Sequence, residues 1–514
     1  MRYLKEQWRQ DKLRCALVVC WLLTVATSFF NAYLFPIEVP GVGAWYAFRT
    51  VLPLTALLYA IYDVRTRRFF WKDSTILEKW CYIFIAVMIL YGVASLPRAL
   101  DVSWTFRKLF NLCLDMCFFF LMLRLCRQKD IRKLTLAVCF VMWITVMVLG
   151  VYEVFNGGIV NSAYNGKNCQ DFTWFLSRFQ YPVVFFGNTN DYALLLVLFY
   201  EIFLLTTWRE SRIPQWLTFI LTAVTYFLLL ATSSRLSIWG FFIVFVTQIL
   251  CAILKHPKAA RRNTMWMILC VMCIQFCNQY QYIVPPIQKY LDQQAAYTQA
   301  VEEAEKNTNQ ENDKPVQGNE HSGEQSETTV EIEKPELQIG DPKKESLHDQ
   351  LFEINDEGEE VLRNSGSAGV RTRLLIHAFR CFAKSYGLGV GLGNTEIAAR
   401  DYANIQDGKI WSIHCFIARI IGDYGIFILI PLCAIAFLLL KSCFITLFAA
   451  QKRKDGQLAT YALLFLAVLL TYPIVSTVSS DAQDNIPMWI YLALVVIYAA
   501  QGLEKGEDLL TGEM

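Results

Sequence analysis

The sequence predicts an all-α, polytopic membrane protein, on three observations. The 514-residue chain is 55% hydrophobic and 18% charged, with a mean hydropathy of +0.34, whereas a soluble chain of this length carries more charge. Apolar runs such as CALVVCWLLTVATSFFNAYLF and YALLLVLFYEIFLLTTW approach the roughly 20 residues that cross a bilayer as a helix, and about twelve such segments occur. The basic stretches DVRTRR, RLCRQKDIRK, WRESR, KHPKAARR and QKRK fall after alternate crossings. The positive-inside rule puts them in the cytoplasm together with both termini; Arg98, Arg107 and Lys108, on the outer side, run against this pattern.

The elements then follow in order. A basic N-terminus leads into the first apolar run without a small-residue cleavage site, so this run reads as a retained helix rather than a signal peptide. Nine transmembrane helices are expected over residues 1–284, and three more, with a cytoplasmic tail, over 414–514. Between them, residues 285–413 form one long outer loop; shorter outer segments lie near 156–180 and 233–235. Residues 292–363 hold about twenty acidic side chains and few aromatics, the composition of a disordered insert that cannot bury enough apolar surface to offset chain entropy. The net charge of +2 gives no field for nucleic acid. The sixteen cysteines lie mostly inside apolar runs, as small hydrophobes rather than a disulfide or metal framework.

After Gly369 the pattern changes. Over residues 371–384, Leu374, Leu375, Ala378, Phe379 and Phe382 share one helical face, with Arg373, His377, Arg380 and Lys384 opposite. This predicts an amphipathic helix on the membrane surface, with His377 solvated. Arg371 falls on the apolar stripe, where a guanidinium must snorkel, pair, or face an anion. Next comes GLGVGLGN. The dinucleotide fingerprint fails, because the sixth position counted from Gly387 as the first is Leu392, and from Gly389 as the first is Asn394. A sharp reversal, close backbone approach to a ligand, or N–H groups offered to a phosphate remain.

SAGVRTRLLIHAFRCFAKSYGLGVGLGN, WSIHCFIARIIGDYGIF, FFGNTNDYALLL and ATSSRLSIWGF occur in an order and outer-face arrangement that resembles the bacterial O-antigen ligase and O-antigen polymerase superfamily, teichuronic-acid-type polymerases included. The resemblance covers about the C-terminal two-thirds of the chain. Thr189 stands where Pro is common, Cys415 where Asn usually follows the His, and Asp423 where Glu is commoner.

The resemblance implies a membrane glycan transferase in cell-surface polysaccharide synthesis, in the bacterial cytoplasmic membrane. Its donor is a glycan on a polyprenyl diphosphate, and its acceptor is a glycan or lipid hydroxyl. His414 is the expected general base, and Arg371 and Arg235 the stabilisers of the departing diphosphate. Arg178, Asn188, Asn190, Gly389, Gly391 and Asn394 are the expected substrate contacts. Each has a plainer reading beside it: Arg235 as a snorkelling interface residue, His414 as a structural histidine, and Asn188, Asn190 and Asp191 as helix N-capping groups. No metal or other cofactor is expected, since no carboxylate or Cys/His set has the spacing. Membrane lipids and other polysaccharide-assembly proteins are the expected partners, with no nucleic acid. The alternative is a flippase or transporter of lipid-linked glycans, which wants charges near the bilayer midplane; Glu201 and Asp115 are the candidates within apolar runs.

Overall fold

A computed structural model of the chain describes residues 11–39, 43–66, 71–159, 167, 179–210, 215–255, 265, 268–277, 298, 352–354, 360–362, 367–402, 412–477 and 485–511. Its helices are α1 (Lys12–Ser28), α2 (Ala47–Thr66), α3 (Ile76–Ser95), α4 (Val102–Cys126), α5 (Lys129–Asn156), α6 (Thr189–Glu210), α7 (Gln215–Ala231) and α8 (Arg235–Lys255). Beyond these come α9 (Ile268–Cys277), α10 (Ser367–Lys384), α11 (Asn394–Tyr402), α12 (Phe416–Tyr424), α13 (Ile426–Arg453), α14 (Gly456–Val475) and α15 (Ile486–Thr511).

Eight of them, α2 to α6 and α13 to α15, are long and apolar enough to cross a bilayer. Helix α1 has 17 residues, about 25 Å at 1.5 Å per residue, short of a hydrocarbon core of roughly 30 Å. The stretches Trp216–Ala231, Arg235–Leu250 and Ile268–Cys277 are apolar and also short. Helix starts follow local signals. Thr75 and Glu78 form a reciprocal capping box at α3, and Asp101 accepts the Trp104 N–H at 2.9 Å to open α4.

Helices α6 and α15 run through the middle of the bundle: 89% and 83% of their apolar windows are buried, against 22% for α2 and 28% for α13 at the periphery. Phe29 packs edge-on to Phe199 of α6 at 5.0 Å, and Trp489 of α15 lies 5.5 Å from Phe119 of α4. Glu201, wholly buried on α6, accepts the Tyr491 hydroxyl of α15 at 2.7 Å.

A second buried carboxylate shapes the chain before α6. Glu153, near the end of α5, is fully enclosed. It accepts the backbone N–H groups of Ile159, Val183 and Val184 at 2.8, 2.8 and 2.7 Å. Three main-chain donors with no partner of their own are thereby satisfied, and residues 183–184 are pinned five residues before α6 begins.

Two departures from the all-α expectation are small antiparallel hairpins. One pairs β1 (Ile37–Val39) with β2 (Gly43–Trp45), in register Glu38 to Ala44. The other pairs β3 (Phe352–Ile354) with β4 (Glu360–Leu362), in register Glu353 to Val361, and so places ordered strands at the end of the segment expected to be disordered. Phe352, Ile354, Val361 and Leu362 are apolar, β-branched or aromatic residues within this acidic stretch, so strand propensity overrides the acidic average there. Most of that insert lies outside the described residues.

Glu153→Ala leaves the buried N–H groups of Val183 and Val184 without acceptors, at about 1–3 kcal/mol each, and frees the part-buried one of Ile159. A clearly lowered melting temperature in detergent is expected, with the exposed Glu38→Ala unchanged; equal melting of both variants contradicts the pinning role.

Candidate functional site

The glycine stretch follows α10 and reverses sharply. Gly387, Gly389, Gly391 and Gly393 all have positive φ, as does Gly425 at the end of α12, which meets them. A Cβ on Gly389 would lie 2.4 Å from the Asp423 carbonyl oxygen, and one on Gly425 2.2 Å from the Gly387 carbonyl oxygen. The two turns therefore touch backbone to backbone, as only glycine permits. Three hydrogen bonds stitch them together: Val390 N–H to Gly422 O at 3.0 Å, Gly391 N–H to Asp423 O at 2.9 Å and Ile426 N–H to Gly387 O at 2.7 Å.

The turn does hold an anion, and the anion is the protein's own. Asp423, 2% exposed, accepts Gly393 N–H at 3.1 Å on one oxygen. Its other oxygen accepts Thr395 N–H at 3.1 Å and the Thr395 hydroxyl at 2.6 Å. Ser385 Oγ takes the Gly389 N–H and Ser95 Oγ takes that of Leu392; every backbone N–H from Gly387 to Thr395 donates within the chain. The geometry gives Gly389 and Gly391 a packing role in place of the expected ligand-facing one. Asn394 is also spent internally. Its Oδ1 accepts Leu100 N–H at 3.0 Å, and its Nδ2 donates to Arg98 O and Val390 O, which ties the turn to the α3–α4 connection.

Around Asp423 lies a set of buried charges that periodicity alone did not single out. Arg419 donates to Glu396 at 3.1 Å, and Lys108 of α4 lies 3.5 Å from the other oxygen of Glu396. All three are nearly enclosed. Lys108 also stands 5.1 Å from the Trp104 ring centroid. Two cations and two carboxylates, Glu396 and Asp423, leave the set close to neutral, the condition under which buried charge is tolerated. Burial nonetheless pushes the Asp423 carboxyl up to about 6, against the opposing pull of Thr395 and Arg419. The sequence signal for Lys108 was present as an outer-side basic residue that broke the loop-charge pattern.

Helix α10 is rotated relative to the expected wheel. Leu374, His377, Ala378 and Cys381 are buried, while Phe379 is 50% exposed. The reason is that α10 packs against α11 and α12, so a second layer covers the His377 side. His377, expected to be solvated, is 6% exposed. Its Nε2 lies 3.1 Å from Thr395 O, and a carbonyl only accepts, so the proton sits on Nε2. Burial, with Lys384 and Arg380 adding to it, holds this imidazole below its ordinary value.

Arg371 stands one turn before Leu374 on that face, partly buried. Leu374 and Ala378 join Ile413, Ala418 and Ala399 in one small apolar cluster, with Cys415 against it. His414 sits between Ile413 and Cys415, half-buried. Cys415 N–H donates to Ile413 O at 2.6 Å, so His414 occupies the apex of a three-residue turn. Cys415 is then the N-cap of α12 and makes no side-chain capping bond, at a position where Asn caps well. Phe416 follows, edge-on to Trp489 at 5.8 Å, and anchors the histidine turn to α15.

The remaining expected residues are placed elsewhere. Asn188 caps α6: its Oδ1 accepts Asp191 N–H at 2.9 Å, and its amide pairs with the Asp191 carboxylate. Asn190 is half-buried in the first turn. Arg235 is exposed at the start of α8, which is fixed by the approach of Gly240 to α14; a Cβ there would lie 2.3 Å from Val475 Cγ2. Arg178 lies outside the described residues.

Three outcomes are expected. Both glycines have a positive φ, but Gly389→Ala also drives its Cβ into the backbone of residues 423–425, so it disrupts the turn more than Gly387→Ala, whose nearest neighbour is the Phe382 ring at 3.4 Å; equal thermal stability of the two contradicts the close packing. Cys415→Asn supplies the absent cap and raises stability by about 0.5–2 kcal/mol, read as a higher melting temperature; no change rules out that N-cap assignment. The folded value of Asp423 lies above its ordinary 3.8. Its contribution to stability is therefore complete below that value and is lost as pH rises through about 6. Hydrogen exchange over residues 385–396, corrected for the intrinsic rate, should show falling protection across this window; a flat profile contradicts it.

No family model matches the chain. The chain is similar to the teichuronic acid biosynthesis protein TuaE of Bacillus subtilis (strain 168), at 22% identity over 493 residues, spanning 94% of this chain and 84% of that protein. With the apolar helices, this supports a membrane protein of polysaccharide biosynthesis.

Proposed function

We propose that the protein is a glycan transferase that moves a polyprenyl-diphosphate-linked glycan to an acceptor hydroxyl at the outer leaflet, as a repeat-unit polymerase or a ligase. The observation that carries the reading is the cluster in which Leu374 and Ala378, on the helix of Arg371, pack against Ile413 and Ala418, on either side of His414. A cation on α10 and a base in the turn that leads into α12 are thereby anchored to one apolar cluster. The similarity to a teichuronic acid biosynthesis protein supports the substrate class.

The acceptor oxygen attacks the anomeric carbon, and its proton passes to the His414 imidazole. The bond from that carbon to the diphosphate oxygen breaks, and the diphosphate leaves with the electron pair. Arg371 and Arg235 offset its charge. The arginines then supply the neutralisation that a divalent cation gives elsewhere, so turnover should persist in excess EDTA. The transporter alternative has its strongest candidate in Glu201, which is enclosed between α6 and α15 and held by Tyr491 rather than lining a path.

Substitutions separate the roles. His414→Ala should lower turnover by roughly 10²–10⁴-fold and leave binding of the lipid-linked donor intact. Arg371→Ala should weaken both, and Arg371→Lys should restore only part, since an ammonium lacks the planar fork. The exposed Arg380→Ala serves as control. Full transfer activity in His414→Ala, with the protein in the membrane at normal level, removes the base and the reading with it.

A further inference from the structure

Helix α10 divides into three sectors at about 100° per residue. Leu374, Ala378 and Cys381 form the first, which packs on α11 and α12; there Leu374 and Ala378 meet Ala399, Ile413 and Ala418. Ile376, Phe379 and Ala383 form the second, and all three are exposed. The basic side chains from Arg373 to Lys384 fill the third, with Lys384 exposed. The helix therefore has a protein face, an apolar face left open among the described residues, and a basic edge beside it.

The apolar face runs on past the end of the helix. The Phe382 ring reaches Gly387, and beside it Tyr386 is 95% exposed and Leu388 is exposed as well. Tyr386 also holds a φ of 53°, a left-handed conformation that a bulky side chain seldom adopts. At that exposure the ring gains almost no packing from its own chain, so internal contacts do not account for an aromatic at this point. A run of exposed apolar side chains of this kind marks a surface that meets something other than water.

The depth of the turn says what that is. The carbonyl oxygens of Leu388 and Gly389 lie 2.7 and 3.2 Å from the Tyr91 hydroxyl. Tyr91 stands four residues before Ser95, the end of α3, roughly 6 Å along the axis, and helix side chains lean toward the N-terminus. Leu388 is therefore level with the last turn of a bilayer-length helix, not beyond it. On the other side, Ile426 donates its N–H to Gly387 O, and Ile426 is the first residue of α13, which is also of bilayer length. Leu90 and Val93 of α3 and Phe427 and Ile430 of α13 are exposed around this point. The Tyr91 ring lies 5.5 Å from that of Phe427, so the open faces of α3, α13 and the turn form one surface.

We infer that α10 and the glycine turn form a membrane-docking surface, in which Ile376, Phe379, Tyr386 and Leu388 enter the acyl region of the phospholipid leaflet at this end of α3, the outer one by the loop charges. The basic edge then lies at the level of the lipid phosphates, where Lys and Arg are favoured, and Tyr386 takes the interfacial place that suits an amphipathic ring. The lipid-facing strip is not the one a single helical wheel marks, because Leu374 and Ala378 are spent on α11 and α12. The helix that carries Arg371 is thereby held at phosphate depth. None of this rests on the glycan-transfer reading; it holds equally for a transporter.

Photochemical capture tests the surface directly. The full-length protein is reconstituted in nanodiscs of phosphatidylcholine and phosphatidylglycerol. The photoreactive residue p-benzoylphenylalanine replaces Phe379, Tyr386 or Leu388 one at a time, and Ile430 of α13 as a lipid-facing reference. After irradiation, peptide mass spectrometry identifies what each position has captured, and fragmentation places a lipid adduct on the acyl chain or the head group. Acyl-chain adducts are expected at all three positions, at yields within a few-fold of that at Ile430. Tyr386 touches almost nothing in its own chain, so its variant keeps the test open if either of the others fails to fold. Head-group adducts alone, cross-links to this chain or to a second copy, or no lipid adduct where Ile430 gives one overturn the docking surface. No transfer is read, so that failure leaves the assignment of His414 standing, and an inactive enzyme that still captures acyl chains leaves the docking surface standing.

Discussion

Asp423 is a carboxylate held by main-chain and hydroxyl donors, and the geometry around it depends on that contact. Its three donors come from Gly393 and Thr395, which lie at the end of the glycine turn and the start of α11. The same residue's carbonyl accepts Gly391 N–H. One residue of α12 thus fixes the path of the chain from α10 into α11 and the distance between α10 and α12. Arg371 lies on α10 and His414 in the turn that leads into α12, so their relation follows from a contact in which neither takes part. A peptide turn that reads in sequence as a phosphate loop is here saturated by an internal anion, by the same electrostatics that would have served an external one.

The buried charges around it obey one constraint. Lys108, Glu396 and Arg419 come from three separate elements and bind one another at 3.5 and 3.1 Å. Removing any one leaves an uncompensated charge, which is worse than having none of them. Glu153 solves the same problem differently, with three backbone donors in place of cations. Glu201 has a tyrosine hydroxyl.

Much of this was legible beforehand, and the rest fails for identifiable reasons. Hydropathy places the long helices because a bilayer demands about 20 apolar residues whatever the tertiary context. The amphipathic helix near 371–384 was also visible, and it begins at Ser367. Its rotation was not, since a helical wheel assumes a single apolar neighbour, whereas α11 and α12 cover two sides and bury His377. The failed dinucleotide spacing pointed away from a nucleotide, but no local pattern reveals that the partner of the glycine turn is Asp423, 30 residues from Gly393. The pairing of Lys108 with Glu396 spans 288 residues of sequence and leaves no periodic trace. For the N-cap role of Asn188, the residue type alone carried the signal.

The central claim is that the chain breaks the bond between a glycan and its lipid diphosphate, rather than carrying the intact lipid across a membrane. The most direct measurement is mass spectrometry of lipids and glycans from liposomes holding the purified protein, a polyprenyl-diphosphate-linked glycan and an acceptor. The account predicts one free polyprenyl diphosphate for every new glycosidic bond, in the presence of EDTA. Donor that crosses the bilayer unchanged, with no polyprenyl diphosphate released, would contradict it.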